Sequence, residues 1–238
     1  MDVLSTILSS PRSVFTPQWL AMVCKDRDKQ SLRRSLQYYA RTGALRNPRR
    51  GIYTKPKYDE QEMACALLKP SYISLEYVLA RAGVTFQYSS EITCVSYQSR
   101  TIEVDGHAYV FRQMNKMIWT NMLGIEQRDN IAIATPERAF LDMMYLSAGQ
   151  CYFDNLHPLN HALIRQLLPV YDSPILVKRV EALLTGHQYT SILSDASVAC
   201  YLSSSSVKSA SSVQRRHIVD AFSWINAVLD GFGFQSVG

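Results

Sequence analysis

Residues 28–57 read DKQSLRRSLQYYARTGALRNPRRGIYTKPK. The first half has the spacing of an amphipathic helix. Leu32, Leu36, Tyr39 and Ala40 fall on one side at a 3.6-residue period, and Gln30, Arg34, Gln37, Tyr38 and Arg41 fall on the other. Asp28 is placed to cap this helix, and Gly43 to end it, because positive φ costs glycine least. Leu45 then begins a strand, Asn47-Pro48-Arg49-Arg50-Gly51 makes a basic turn, and Ile52-Tyr53 returns as a second strand. A basic helix followed at once by an arginine-tipped ribbon is the layout of a winged helix-turn-helix, whose helix fits a DNA major groove beside a ribbon that reaches phosphates or the minor groove.

The preceding residues complete that unit. Asp2 to Leu8 reads as a helix closed by Ser9-Ser10-Pro11. Thr16-Pro17 marks a second start, with Thr16 as N-cap and Pro17 at N1. Trp19, Leu20 and Val23 are expected to pack beneath the basic helix. Charge points to the same region. Residues 1–57 hold 12 Lys and Arg against 3 Asp and Glu, whereas residues 58–238 hold 13 against 17. The chain's +5 therefore hides a first quarter near +9 and a remainder near −4. Such a patch binds polyanions by releasing condensed counterions. A solvated basic face is the bland alternative.

Taking Leu32 as the centre of the buried side, at about 100° per residue Gln30 points about 160° away and Arg34 about 200°. Gln37 and Arg41 continue that face. The residues expected to contact DNA are Lys29, Gln30, Ser31, Arg33, Arg34, Gln37, Arg41, Arg46, Arg49, Arg50 and Lys55. Gln30, Arg34 and Gln37 are assigned to bases, since glutamine pairs bidentately with adenine and arginine with guanine, and Arg41 to phosphate.

Beyond Lys57 the pattern becomes mixed α/β. Asp59 to Leu68 reads as a helix, Pro70 to Ile73 as extended, and Ser74 as the cap of a helix running from Leu75 to Ala82 and closed by Gly83. Ile92 to Tyr97 is a strand, and Thr101–Val104 and Ala108–Phe111 form a hairpin around Asp105-Gly106. Met117 to Thr120 and Asn130 to Ala134 are further strand candidates. Thr135-Pro136-Glu137 repeats the cap-and-proline start before a helix from Arg138 to Ser147. Asn160 to Leu168 and Pro174 to Leu184, the latter capped by Ser173, are helices. Residues 203–212 contain seven serines and read as a linker, before a helix from Arg215 to Leu229. The expected organisation is α+β, with a DNA-binding domain over 1–57, a larger mixed α/β domain over 58–186, and a linker with a helix over 187–238.

Chemistry-bearing motifs are few. Thr135 to Asp142 allows two readings: a polar site at a helix N-terminus, or a capped helix with Arg138 paired to Asp142 one turn on. His157 and His161 stand four apart near Asp154, with Pro158 between them and no HExxH glutamate. His107 and His187 read as lone, exposed residues. Asp59, Glu60 and Glu62 would be the carboxylates of a metal-dependent nuclease, but they run along one helix. Cys24, Cys65, Cys94, Cys151 and Cys200 are scattered, odd in number and form no CxxC pair. No apolar run approaches the roughly 18 residues of a membrane span, and no signal-peptide pattern opens the chain. A cytoplasmic protein with no cofactor, no metal and no membrane association is expected.

Three stretches carry a family resemblance: LRRSLQYYARTGALRNPRRGIYTKP (32–56), PSYISLEYVLARAGV (70–84) and IAIATPERAFLDMMYL (131–146), in this order and with the hairpin between the last two. Together they resemble AbiEi-type antitoxins, over about residues 13–184. The resemblance implies a transcriptional repressor whose winged helix binds inverted repeats in the promoter of its own operon. It also implies that the second domain carries antitoxin function against a nucleotidyltransferase-like toxin encoded next door, and that the chain is no enzyme. The alternatives are a winged-helix regulator whose second domain binds a ligand or protein, and a nuclease.

Overall fold

The computed structural model describes residues 3–24, 28–87, 89–147 and 151–186. The described residues up to Leu184 form one compact unit. The expected linker and final helix lie outside the described residues, as do His187 and Cys200. The described part is mixed α+β, with one antiparallel and one mixed sheet.

The N-terminal part runs α1 (Val3–Ser9), β1 (Val14–Phe15), α2 (Pro17–Val23), α3 (Lys29–Arg41), β2 (Arg46–Arg49) and β3 (Ile52–Thr54). Local chemistry sets the helix starts. The Thr16 hydroxyl accepts from the Trp19 amide, and one Asp28 carboxylate oxygen accepts from both Gln30 and Ser31 amides at 2.8 Å. Gly51 takes φ +84°, which lets the hairpin reverse just after Arg50. Strand β1, too short to stand out in the sequence, adds to β3 on the side opposite β2, pairing Val14 with Thr54 and Phe15 with Tyr53. A core of Val3, Ile7, Phe15, Leu20, Leu32, Leu36, Leu45 and Tyr53 binds the pieces, each large aliphatic contributing about 1.5–3 kcal/mol on burial. Leu20 and the half-buried Trp19 join it as expected, but Val23, at the last position of α2, is 46% exposed.

The larger part runs α4 (Glu60–Leu67), β4 (Ser71–Ile73), α5 (Glu76–Arg81), β5 (Ile92–Ser96), β6 (Arg100–Val104), β7 (His107–Gln113), α6 (Lys116–Trp119), β8 (Ile125–Arg128), β9 (Ile131–Ala134), α7 (Pro136–Leu146) and α8 (His161–Leu167). A 3-10 turn (Leu168–Tyr171) and a helix over 174–186, here α9, follow. The strands form one six-stranded sheet, ordered β6-β7-β5-β4-β9-β8. Pairing is parallel at β5/β7 and β4/β9 and antiparallel elsewhere. Helix α4 packs on β4, β5 and β9, and α7 on β9, α5 and α8.

Several local readings hold. Asp105 and Gly106 take φ of +53° and +81°, the two positive values a tight two-residue hairpin needs. Ser173 accepts from the Leu176 amide at the start of α9. Others are corrected. Met117–Thr120 is helical at Lys116–Trp119: the Asn115 side chain accepts from the Met117 amide, and this cap decides a four-residue apolar run whose length suits either state. Ser74 does not cap α5. Its hydroxyl donates to Asp142 at 2.8 Å, and buried Leu75 occupies the cap position at φ +61°. Strand β8 escapes a reading based on apolar alternation because Glu126, Gln127 and Arg128 are exposed on the sheet's edge.

At the centre of the larger part lies a buried charge pair. Arg138 and Asp142 are both 0% exposed, joined Nε to Oδ1 at 3.1 Å. Asp142 also accepts from the Tyr72 and Ser74 hydroxyls at Oδ2 and from Tyr171 at Oδ1. The guanidinium donates to the carbonyls of Ile118, Asn121 and Leu123. Burial pushes the Asp142 carboxyl above its ordinary range, while Arg138 and the three hydroxyls pull it back. The Thr135–Asp142 stretch is therefore a capped helix with an internal ion pair, and its cations and anions are consumed by the fold. Its Glu137 accepts from the Asn160 amide at 3.0 Å.

Two polar joints tie the N-terminal part to this body. Glu62 Oε2 accepts from the Ser13 amide and hydroxyl and the Val14 amide at 2.6, 2.6 and 3.0 Å, while its Oε1 accepts from Asn130 in the β8–β9 turn. Asp105, in the β6–β7 turn, holds Arg46 at 3.0 Å and the Tyr58 hydroxyl at 2.8 Å. The two turns belong to opposite edges of the six-stranded sheet.

Candidate nucleic-acid interface

Helix α3 owes its position to the buried Leu32 and Leu36, with Tyr39 and Ala40 half-buried beside them. The opposite side is open: Lys29, Gln30, Arg33, Arg34, Gln37, Tyr38 and Arg41 are all exposed. Along this side run two stripes of i, i+4, i+8 spacing, offset by about 60° around the helix axis. Gln30, Arg34 and Tyr38 form the outer one, and Arg33, Gln37 and Arg41 the inner one.

The inner stripe faces the hairpin across a groove of about 870 Å³. Arg33, Gln37, Ala40 and Arg41 form one wall. Asn47, Arg50, Gly51 and Tyr53 supply the other, and Pro17 of α2 also lines it. No carboxylate of a described residue lines this groove, and none of its three guanidiniums is in an ion pair with a described residue. Asn47 steadies the hairpin by donating to the Ile52 carbonyl at 3.1 Å.

The other expected contact residues are dispersed. Ser31 is half-buried at the start of α3, its amide held by Asp28. Arg49 is half-buried in β2, opposite Ile52. Arg46 is occupied by Asp105 and lies 6.0 Å over the Tyr58 ring. Lys55 donates its ammonium to the Ser10 and Leu8 carbonyls at 2.6 and 3.3 Å, bracing the end of α1. Sequence reasoning did not include Asn47, Tyr53 or Tyr38 among contact residues. Tyr38, 60% exposed and set edge-on to Tyr39 at 5.6 Å, was within reach of the same helical phase that marked Arg34.

The remaining motifs resolve into structure. Asp154 spends a carboxylate oxygen on the Phe86 amide at 2.7 Å. His107 is not alone, since its Nε2 lies 3.3 Å from Glu60. Among the described residues no group of three His, Cys, Asp or Glu is placed to hold a metal ion. Burial pushes the Cys65 thiol up to about 11 and the Cys94 thiol well above its ordinary value, so neither rests as a thiolate. No helix among the described residues is long and apolar enough to cross a membrane. No protein-family model matches the chain, and comparison with curated proteins finds no significant match.

Proposed function

We propose that this protein is a sequence-specific DNA-binding repressor, with α2, α3 and the β2–β3 hairpin acting as a winged helix-turn-helix. The observation that carries the reading is the convergence of Arg33, Gln37 and Arg41 with Arg50 across an open groove lined by no carboxylate of a described residue. A guanidinium cluster with no ion-pair partner among the described residues suits an external polyanion, and an exposed helix beside a hairpin suits a duplex. By the resemblance of residues 32–56, 70–84 and 131–146, the protein would bind inverted repeats in its own promoter and act as the antitoxin of a nucleotidyltransferase-like toxin. The six-stranded body would carry that second role in the cytoplasm, without catalysis or cofactor.

The DNA reading is tested with the full chain and the DNA upstream of its own reading frame. Affinity should fall steeply with salt, and replacing Arg49 and Arg50 together should flatten the slope by about one to two units. An unchanged slope removes the hairpin from the phosphate contacts. The antitoxin reading is tested by co-expressing the neighbouring gene product with this chain and with an Arg33→Ala/Arg34→Ala variant. Rescue of growth by both separates neutralisation from repression. Absence of toxicity, or of rescue by the unaltered chain, removes the antitoxin role.

A further inference from the structure

The two stripes of α3 have different surroundings, and the difference assigns them different tasks. We infer that the groove between α3 and the hairpin is a slot for the phosphodiester backbone of one strand of duplex DNA. Arg33, Arg41 and Arg50 hold successive phosphates there, and Gln37 donates its amide to the same backbone. Base reading is left to the outer stripe of Gln30, Arg34 and Tyr38. This rests on the DNA-binding reading above and revises the role of Gln37 within it.

Arg33 and Arg41 are eight residues apart, so their Cα atoms stand about 12 Å apart along the helix axis. That is the length of a short run of phosphates rather than of one isolated anion. Gln37 lies between them on the same wall, and Arg50 approaches from the hairpin side. A base edge entering here would meet guanidiniums on both flanks. A phosphate strand meets charge on both flanks and a neutral amide donor midway, which is the arrangement a polyanion requires. The outer stripe has no facing wall among these lining residues, so a major-groove floor has room to approach it. Tyr38 there offers an apolar ring suited to a thymine methyl and a hydroxyl suited to an acceptor.

The test uses the full chain and a duplex from the DNA upstream of its own reading frame, with neutral methylphosphonate linkages placed one at a time. Two or three adjacent linkages on one strand should each weaken wild-type binding about tenfold, the loss of one charge-assisted contact. The same linkages should cost Arg33→Ala and Arg50→Ala little further, because the partner cation is already gone. Arg50→Lys, which keeps the charge, should retain the penalty and so excludes misfolding as the cause. Gln37→Ala should lose equally on cognate and scrambled duplexes, whereas Tyr38→Ala should lose more on the cognate. Tight wild-type binding with equal linkage penalties in wild type and both alanine variants overturns the slot while leaving DNA binding intact. A wild type that binds no duplex overturns the DNA reading and the slot with it. Equal affinity for the isolated single strand overturns the assignment to a duplex.

Discussion

Arg138 and Arg34 lie on helices of similar length and meet opposite fates. Arg138 is wholly buried, bonded to Asp142 and to three backbone carbonyls, with Tyr72 and Tyr171 rings at 5.6 and 5.4 Å. Arg34 is exposed and forms no ion pair with a described residue. The same contrast separates the two parts of the compact unit. The six-stranded body turns its most committed charges inward, where they fix α7 against β4 and the turn before β8. The three-helix part buries apolar side chains and Thr54, and none of its described arginines is buried. A buried guanidinium is worth keeping only when every donor is matched; an unmatched one survives only where water or a ligand can satisfy it. Charge alone therefore does not mark an interface; charge without an internal partner does.

The contrast is broken most severely at Arg138. Arg138→Met should destabilise the protein by about 3–5 kcal/mol, because Asp142 is left charged and buried. Urea unfolding measures it, and a loss below about 1 kcal/mol would mean that the pair is not the keystone its geometry makes it. Next is the joint at Glu62. Glu62→Ala strands the buried Val14 amide and the Ser13 donors, and should cost about 2–3 kcal/mol, with Glu62→Gln costing less. Hydrogen exchange should then show the Ser13–Val14 amides opening ahead of the six-stranded sheet. Simultaneous opening of both would show that the joint does not hold the two parts independently of the core.

At the surface the effects move from stability to binding. Arg34→Ala should leave the thermal midpoint unchanged and cost about 1–3 kcal/mol on cognate DNA, with little loss on scrambled DNA. Arg41→Ala should weaken both alike. Equal losses on both duplexes for Arg34→Ala would make it another phosphate contact.

The smallest effect is expected at the Asp105 joint, where the groups are half exposed. Asp105→Asn should cost no more than about 1 kcal/mol. Burial, and then the bond to Asp105, push the Tyr58 phenol up to about 12. The unfolded chain gives up that proton near pH 10 while the native state keeps it, so this contribution is lost as pH rises from about 10 through 12. The difference in thermal midpoint between wild type and Tyr58→Phe should shrink across that window. A constant difference would mean that Tyr58 does not titrate with the joint.

Elements whose cause is local were legible in the chain. Thr16, Asp28, Asp59, Thr135 and Asn160 each cap the helix that follows within two or three residues, and Asp105-Gly106 closes its own hairpin. The phase of α3 followed from the spacing of Leu32 and Leu36. What failed were short pieces with little pattern of their own. β1 exists because β3 lies beside it forty residues on, and β8, although its partner β9 follows within three residues, is an exposed polar edge strand with no apolar alternation. The turn at Leu75 holds a non-glycine residue at positive φ, and Ser74 beside it is drawn away to Asp142.

The sequence by itself determined where α2, α3, α4, α7 and α8 start, which face of α3 is buried and where the positive charge is concentrated, because these depend on residues a turn or less apart. Only the tertiary structure decided which arginines remain free. Arg46 and Arg50 have the same side chain and no local signal that ranks them, and Arg138 had only Asp142 one turn on, which does not reveal its burial. Asp105 reaches Arg46 from a turn nearly sixty residues away, Asp142 and three carbonyls enclose Arg138, and Arg50 meets no carboxylate of a described residue in the groove it shares with α3. A guanidinium's availability depends on what the rest of the chain brings within about 4 Å of it, and that is a property of packing rather than of spacing.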